Sequence, residues 1–493
     1  MNMRMRCFSL SLAAGLLMLV VFQLGCRKDD PVYDLESSSY PKEPGKIILA
    51  KCATSGCHNN ISKEAAAGLS LMSWENMFEG SRNGAVTIPY AAEFSSLCLY
   101  SNIYPELGVT AVPSMPLNAE PLSPEEVSTL LNWVASGAPN ARGEVKFADN
   151  PFRKKYYVTN QGCDVVAVLD AATGLQMRYI KVGNSNQVEA PHNVKISPDE
   201  NYWYVVSLGG NSLQKYRCAD EGYVGEAIIG AGYWNTLSIS PDGLYGYAVD
   251  FSTQGKVVRV NLNTMQVVDT YQGSGILTQP HGSFVSPDGN TLYVTAQAGN
   301  YITKIDVSII GAASFDFITL DGMPQNDASN LKIHEVAFSP DGSRYFVTCQ
   351  GSGEVRVVDA ATDTLMAVIP IGMDAVEMSF SNNHPYLFVT CMDDSISFPG
   401  KHGSVYVINY NTNTVVASIY AGHQPHGLAV NDSNNEVIVA NRNVTSGGPA
   451  PHHSTACGGR NGYVTFIDMN TLQLVPGKNI ELSVDPYSAA YRR

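Results

Sequence analysis

The sequence has little charge, and most of that charge is acidic. Charged residues make up 15% of the 493 positions, and 45 Asp and Glu outnumber 31 Lys and Arg, giving a formal net charge of -14. Partners such as nucleic acid and anionic lipid surfaces are bound through basic patches. The acidic balance therefore argues against partners of either kind, and we expect no nucleic-acid function.

Long apolar runs are also scarce. One run follows a basic start and extends from Cys7 to Phe22, which is short for a membrane-spanning helix. Leu24-Gly25-Cys26 comes directly after it, and this order is typical of a targeting segment. The segment resembles a bacterial lipoprotein signal. This resemblance implies a signal peptide over residues 1–25, a lipid anchor at Cys26 and a periplasmic or outer-membrane, cell-surface location.

The residues after the signal predict a linker. Residues 26–45 are polar and contain three prolines, so we expect a flexible tether there. Outside the cytoplasm, cysteines serve as disulfides, as metal or haem ligands, or as lipid anchors. The remaining cysteines are therefore interpreted within those three roles.

The usual spacing for covalent haem attachment, Cys-x-x-Cys-His, does not occur around the first cysteine pair. Instead four residues separate Cys52 from Cys57, and His58 follows directly. A haem site with a wide loop, a zinc site and a Cys52–Cys57 disulfide are the alternatives. Zinc needs more ligands than this segment offers, apart from Cys98.

Helices are predicted on both sides of this motif. An apolar patch at residues 47–49 favours a helix before Cys52. Ser123 and Glu126 have the spacing of a capping box, with Pro124 at the first helical position. Met115 lies in a Ser-Met-Pro sequence just before that second helix. The segment over residues 46–142 is thus expected to form a small helical domain.

In these features the segment resembles a class I-like c-type cytochrome. The resemblance implies that Cys52 and Cys57 form thioethers with a covalent haem c. It also implies that His58 is the proximal iron ligand and Met115 the distal one. An imidazole together with a thioether favours reduced iron and raises its potential.

The rest of the chain, residues 143–493, is repetitive. Phrases such as PHGSFVSPDGNTLYVT recur with turn residues at Ser197, Ser240, Ser286, Ser339, Ser381 and Asn431, in steps of 43, 46, 53, 42 and 50. Four alternating strands per step are typical of a β-propeller blade. The repeats resemble the YVTN family of seven-bladed propellers. PYSAAYR at the end of the chain is expected to supply the missing innermost strand of the first blade, which closes the ring.

Histidines open several of the predicted innermost strands. Four of the seven strands begin at a His, namely His192, His281, His334 and His426. Each could be a structural histidine, but together they surround the predicted central channel. Clustered imidazoles can bind copper or zinc. The face could equally bind a substrate or a partner.

The predicted fold class is therefore multidomain: a small all-α cytochrome c-like domain followed by an all-β seven-bladed propeller. The predicted function is electron transfer by an extracytoplasmic haem lipoprotein, with a redox protein or a small molecule as partner. One alternative is a metal-dependent oxidoreductase with its active site on the His-rich face. The other is a non-redox binding lipoprotein with a Cys52–Cys57 disulfide.

Overall fold

The computed structural model describes residues 34–273, 275–326, 330–452 and 457–493. Cys26 and the predicted signal peptide lie outside the described residues. Within the described ranges, no helix is long and apolar enough to cross a membrane.

The regular structure of the described chain consists mainly of β-strands of five to twelve residues. In chain order they are β1 (Lys155–Asn160), β2 (Val165–Asp170), β3 (Gln176–Lys181), β4 (Pro191–Ile196), β5 (Tyr202–Ser207), β6 (Ser212–Arg217), β7 (Tyr223–Ile228), β8 (Trp234–Ile239), β9 (Tyr245–Asp250), β10 (Lys256–Asn261), β11 (Gln266–Gln272), β12 (Pro280–Val285), β13 (Thr291–Ala296), β14 (Tyr301–Asp306), β15 (Phe315–Thr319), β16 (Ile333–Phe338), β17 (Arg344–Cys349), β18 (Glu354–Asp359), β19 (Leu365–Pro370), β20 (Ala375–Phe380), β21 (Tyr386–Cys391), β22 (Ser404–Asn409), β23 (Thr414–Ile419), β24 (Pro425–Asn431), β25 (Glu436–Asn441), β26 (Asn461–Asp468), β27 (Gln473–Val484) and β28 (Pro486–Arg492).

These strands form seven antiparallel sheets of four strands each, which are the blades of a propeller. Blades two to seven each consist of four consecutive strands, from β4–β7 to β24–β27. The first blade has the order β28-β1-β2-β3, so its innermost strand comes from the end of the chain. The predicted seven-bladed propeller and its closure by PYSAAYR are both confirmed.

The repeated Ser-Pro-Asp-Gly turns fix the hairpin between the first two strands of a blade. In the third blade, the Ser240 hydroxyl donates to Asp242 at 2.5 Å and accepts from the Tyr245 backbone N–H at 2.9 Å. Gly243 has a φ of +73°, a conformation that suits glycine. Each turn thus satisfies its own polar groups and sets the register of the hairpin.

Large aromatic side chains fill the space between neighbouring blades. Trp203 is fully buried, stacks on Tyr216 with ring centroids 4.1 Å apart, and donates from its indole N–H to Glu221 at 2.9 Å. Tyr157 of the first blade lies 5.4 Å from the same indole ring. Burial of this apolar area stabilises the blade-to-blade packing.

Residues 34–149, here called the N-terminal segment, contain four short α-helices. These are α1 (Lys42–Lys51), α2 (Trp74–Met77), α3 (Ser96–Ser101) and α4 (Pro124–Ala135). The helix before Cys52 and the capping box at Ser123 and Glu126 are present. Single 3₁₀ turns occur at Lys63–Ala66, Ala92–Phe94 and Pro105–Leu107, and Gln161–Cys163 forms another in the first blade.

The prediction of an all-α cytochrome c-like domain over residues 46–142 is wrong. The described chain is nearly all β, and the N-terminal segment is mostly loops around helices of 10, 4, 6 and 12 residues. Between α1 and α4 the helical pattern is interrupted by prolines, which lack a backbone N–H, and by glycines with positive φ. These residues are Gly56, Gly68, Gly80, Gly84, Gly108, Pro89, Pro105, Pro113, Pro116 and Pro121.

The start of the N-terminal segment is packed rather than extended. Tyr40 is only 2% exposed, and α1 begins at Lys42, within the range predicted as a tether. The segment packs against the outer strands of blades one and seven. Gln176 of β3 accepts a hydrogen bond from the Ala85 backbone at 2.9 Å, and the rings of Phe94 and Tyr179 lie 4.5 Å apart.

Candidate functional site

A cavity of about 450 Å³ lies between the N-terminal segment and the propeller. We call it the interface cavity. Cys52, Cys57, His58 and Met115, all predicted from the sequence, are among its lining residues. The propeller supplies the facing wall with Gln176, Tyr179, His452, Glu481 and Ser483. The fold therefore brings the four predicted haem-site residues to one cavity.

The four-residue gap between the cysteines closes as a compact loop at the end of α1. The Cys57 backbone N–H donates to the Thr54 carbonyl at 3.1 Å, and the His58 N–H donates to the Cys52 carbonyl at 3.1 Å. Gly56 has a φ of +82°, which permits the tight turn between them. Neither thiol is in a disulfide.

Burial changes the protonation chemistry of this loop. It raises the pKa of the Cys52 thiol to about 12, with the neighbouring Cys57 adding to the effect. Burial also lowers the pKa of His58, because the charged imidazolium is poorly solvated there. His58 is thus a neutral imidazole at neutral pH, the form that binds a metal ion.

Met115 is held at the cavity by α3. Its backbone N–H donates to the Tyr100 carbonyl at 2.8 Å. The Tyr100 hydroxyl donates to the His452 carbonyl in the propeller. Tyr100 therefore links the position of Met115 to the seventh blade.

The donor atoms and the cavity wall suit a haem. Two thiols, an imidazole and a thioether are the groups that attach and ligate c-type haem. Most of the other lining side chains from the N-terminal segment are apolar, including Leu69, Leu71, Val86, Phe94 and Leu97. Such a wall complements an apolar macrocycle.

The propeller side of the cavity was not predicted. Gln176 is 4% exposed and donates from its side-chain amide to the Glu481 carbonyl at 2.6 Å. The Glu481 backbone N–H in turn donates to the Asn83 carbonyl at 3.0 Å. Residues far apart in sequence form this wall, so no local pattern points to it.

A disulfide lies beside the cavity. It joins Cys163 after β1 to Cys457 in the long loop of blade seven, across 294 residues. The Ser483 hydroxyl, which lines the cavity, lies 2.8 Å from the Cys163 sulfur. The disulfide connects the first and seventh blades near the point where the ring closes.

The four predicted channel histidines are all buried, but they do not form one symmetric ring. His281 and His334 are adjacent, with ring centroids 3.7 Å apart, and His426 lies 5.7 Å from His334. His426 stacks on Tyr487 at 3.7 Å. His192 also packs on Tyr487, with ring centroids 4.2 Å apart, and its Nδ1 accepts from the Gln161 amide at 2.7 Å. The structure therefore brings two of the four into close contact.

Threonines of the second strands position these innermost strands. Thr295 donates to the His334 carbonyl at 3.0 Å, and Thr390 donates to the His426 carbonyl at 2.6 Å, in each case across to the next blade. These are the threonines of the repeated YVT and FVT phrases. The repeat motif thus fixes the backbone of the histidines at the channel.

A carboxylate that was not predicted joins His281 and His334. The β16–β17 register shifts between Ile333 and Val336, so His334 and Glu335 form a bulge. A bulge re-aims side chains that would otherwise alternate between faces. One ligand atom each from His281, His334 and Glu335 lies within 4.8 Å of the others.

We call His192, His281, His334, His426 and Glu335 the channel cluster, and their burial favours the uncharged form of each side chain. Burial lowers the pKa of His281 to about 4, and it lowers the pKa of His192, His334 and His426 well below the usual value. Burial, reinforced by the nearby Glu377, raises the pKa of Glu335 to about 8. In the absence of a bound cation, the low-dielectric channel favours neutral side chains.

Comparisons with known proteins agree on the fold and show no family. No family model matches the chain. A stretch of 170 residues, 33% of this chain, is 27% identical to antigen Lp49 of Leptospira interrogans and spans 36% of that antigen, about a third of its length.

Among solved structures, the periplasmic gluconolactonase PpgL of Pseudomonas aeruginosa aligns with a TM-score of 0.51 at 18% identity, over 69% of this chain and 99% of the other. A functionally unknown protein from Desulfotomaculum acetoxidans aligns with a TM-score of 0.50 at 13% identity, over 68% and 98%. At these identities the likeness concerns architecture alone. The chain is built on a seven-bladed β-propeller, an architecture that it shares with a periplasmic gluconolactonase.

Proposed function

We propose that this protein is an extracytoplasmic, haem-c-bearing electron-transfer protein whose haem occupies the interface cavity. One observation carries the proposal: Cys52, Cys57, His58 and Met115 line the same cavity. When bound, haem supplies one-electron chemistry at its iron. The proposal concerns the cavity and its donor atoms, and it requires no independent cytochrome fold.

The chain's own residues have distinct roles in this proposal. Cys52 and Cys57 would hold the haem covalently, each through one thioether bond. His58 and Met115 would provide the nitrogen and sulfur ligands to the iron, and Tyr100 holds the backbone of Met115.

The propeller contributes the second wall of the interface cavity and the exposed loops at which a partner binds. Tyr179 and Gln176 line one side of the cavity. Its exposed loops are then available to a redox protein or a small-molecule substrate. A lipid anchor at Cys26 would hold the protein at the periplasmic or outer-membrane, cell-surface face. The Cys163–Cys457 disulfide supports an oxidising compartment.

The competing function, a non-redox lipoprotein, needs a Cys52–Cys57 disulfide. Both thiols are free in the structure. Reduction followed by thiol counting separates the two functions, because thioethers resist reduction and a disulfide yields two new thiols.

Cysteine variants test the attachment. We expect protein from a host with haem-maturation machinery to keep haem stain after denaturing electrophoresis. Cys52→Ala/Cys57→Ala should lose the stain, while Cys98→Ala should keep it, since Cys98 is buried in the same segment but does not line the cavity. Equal staining of both variants, or a colourless wild type, would overturn the proposal.

Methionine variants test the distal ligand. Met115→Leu should change the visible spectrum of the reduced protein, because it removes a thioether from the iron. Met72→Leu is the matched control, since Met72 packs against the core of the same segment. An unchanged spectrum for Met115→Leu would remove Met115 from the ligand set.

A further inference from the structure

The central channel holds a group of donor atoms that the haem proposal does not use. His281 and His334 are the second residues of the innermost strands of blades four and five, and Glu335 follows His334 in the bulge. Their side chains are 7%, 2% and 8% exposed. Ligand atoms from all three lie within 4.8 Å of one another, a separation that one ion can bridge.

Unsatisfied nitrogens indicate that something is to be bound here. Nδ1 of His281, His334 and His426 is buried and has no hydrogen-bond partner among the described residues. Buried polar atoms in folded proteins nearly always have a partner, so three orphans at one end of one channel require an explanation. A bound cation would satisfy ring nitrogens that the protein leaves unpaired.

The backbone is arranged to bring the carboxylate to the imidazoles. In blade four, glycine occupies the position that Glu335 has in blade five. A Cβ added to Gly282 would lie 2.9 Å from a Glu335 carboxylate oxygen and 2.5 Å from the His334 carbonyl. Glu335 thus reaches into space that a larger residue at 282 would fill.

Neighbouring residues define the limits of the group. His426 lies beside His334 but stacks on Tyr487, and His192 is engaged by Gln161. Arg442, on that side, is partly exposed and is paired with Asp485 at 2.7 Å. Of the charged groups that act on Glu335, Glu377 raises its pKa and Lys195 lowers it. Three protein ligands therefore converge, and a fourth position is left for water or another small ligand.

We propose that His281, His334 and Glu335 bind one divalent transition-metal ion of the zinc and copper class at the mouth of the propeller channel. Two imidazoles and one carboxylate with an open position are a donor set used by catalytic zinc. The Thr295–His334 and Thr348–Glu335 hydrogen bonds, at 3.0 and 2.9 Å, hold the backbone of two ligands. This proposal is independent of haem in the interface cavity.

Zinc titration tests the site. Full-length protein is dialysed against chelator, then against metal-free buffer, and titrated with ZnCl₂ by calorimetry. The titration is performed in Cys52→Ala/Cys57→Ala protein, so that free thiols in the interface cavity bind no zinc. We expect one zinc per chain, and about tenfold or greater weakening in both His334→Ala and Glu335→Gln.

His384→Ala is the matched control. His384 lies at the opposite end of the propeller and is hydrogen-bonded to Asn435 at 2.9 Å, so zinc affinity should not change. Circular dichroism checks that each variant is folded, and Glu335→Gln, which keeps the side-chain shape, decides the result if His334→Ala is not. No binding by the parent protein, or unchanged affinity in Glu335→Gln, would overturn the metal site whatever the haem content.

Discussion

The N-terminal segment and the propeller are built in different ways. The propeller repeats one four-stranded unit seven times, and its hydrogen bonds are satisfied mainly within each sheet. The N-terminal segment has four short helices and depends on loops, single turns and contacts with the propeller. Yet Cys52, Cys57, His58 and Met115 all lie on the irregular segment.

The regular, stiff region of the molecule is thus not the region that carries the proposed haem-site residues. Regular strands give a stiff wall with little freedom to place unusual donor atoms. Irregular loops can bring residues of very different sequence position to one cavity, and they gain their order by packing on the wall. The channel cluster follows the same rule on a smaller scale, because a bulge interrupts the strand that carries His334 and Glu335.

Matched tryptophan substitutions should separate the two regions most strongly. Trp203→Ala should lower the free energy of unfolding of the propeller by about 3–5 kcal/mol, because it leaves a cavity between blades. Trp74, which packs on Phe78 with ring centroids 4.8 Å apart, belongs to the N-terminal segment. Trp74→Ala should expose that segment to protease and leave the denaturant midpoint of the strand signal unchanged. Equal shifts of that midpoint in both variants would contradict the distinction.

Removal of the Cys163–Cys457 disulfide should lower the free energy of unfolding by less, because this disulfide contributes only to the closure of the propeller ring. Cys163→Ala/Cys457→Ala opens a loop of 294 residues. We expect a loss of about 2–4 kcal/mol in the free energy of unfolding, measured with denaturant, since the unfolded chain gains freedom. Cys349→Ala, at a buried free thiol, is the control for loss of a sulfur atom. A disulfide variant as stable as that control would show that strand pairing alone closes the ring.

Substitution of one carboxylate in a repeated Ser-Pro-Asp-Gly turn should change the free energy of unfolding least. Asp341 accepts hydrogen bonds from Ser339 at 2.6 Å and from the Ser343 backbone at 3.1 Å, and these lower its pKa to about 2. A carboxyl with a depressed folded-state pKa stabilises the protein above its unfolded pKa of about 3.9, and this contribution disappears as the pH falls towards 2.

Asp341→Asn should therefore cost less than about 1 kcal/mol near neutral pH, since the side chain is exposed. The difference in free energy of unfolding between Asp341→Asn and wild type should shrink as the pH falls from about 3.9 towards 2. Denaturant unfolding at several pH values measures it. Asp316→Asn, on the exposed outer strand β15, is the control. A difference that stays constant with pH would show that the Asp341 charge is not responsible.

The propeller could be predicted from the sequence because its signal is repeated. The Ser-Pro-Asp-Gly turns and the turns that replace them in other blades recur at a fixed distance after the start of each innermost strand, and this distance predicts that His192, His281, His334 and His426 lie at the channel. Glu335 was missed because strict alternation puts the neighbour of an inward residue on the opposite face. The bulge that reverses this leaves no clear sign in the sequence.

The N-terminal segment shows why local signals were insufficient. The helix before Cys52 and the capped helix at Ser123 were predicted correctly, but the segment between them was wrongly assumed to complete an all-α domain. The interface with the propeller depends on contacts such as Gln176 with Ala85 and Glu481, 91 and 305 residues apart in sequence. Periodicity within a short window carries no information about such pairs.

Intact-mass measurement of the wild-type protein tests the central claim most directly. The protein is purified under denaturing conditions from a host that attaches haem, so that any non-covalent ligand is removed. We predict a mass equal to the mature polypeptide, with any lipid on Cys26 included, plus one haem. A mass without the haem increment would contradict the proposal that Cys52 and Cys57 carry haem in the interface cavity.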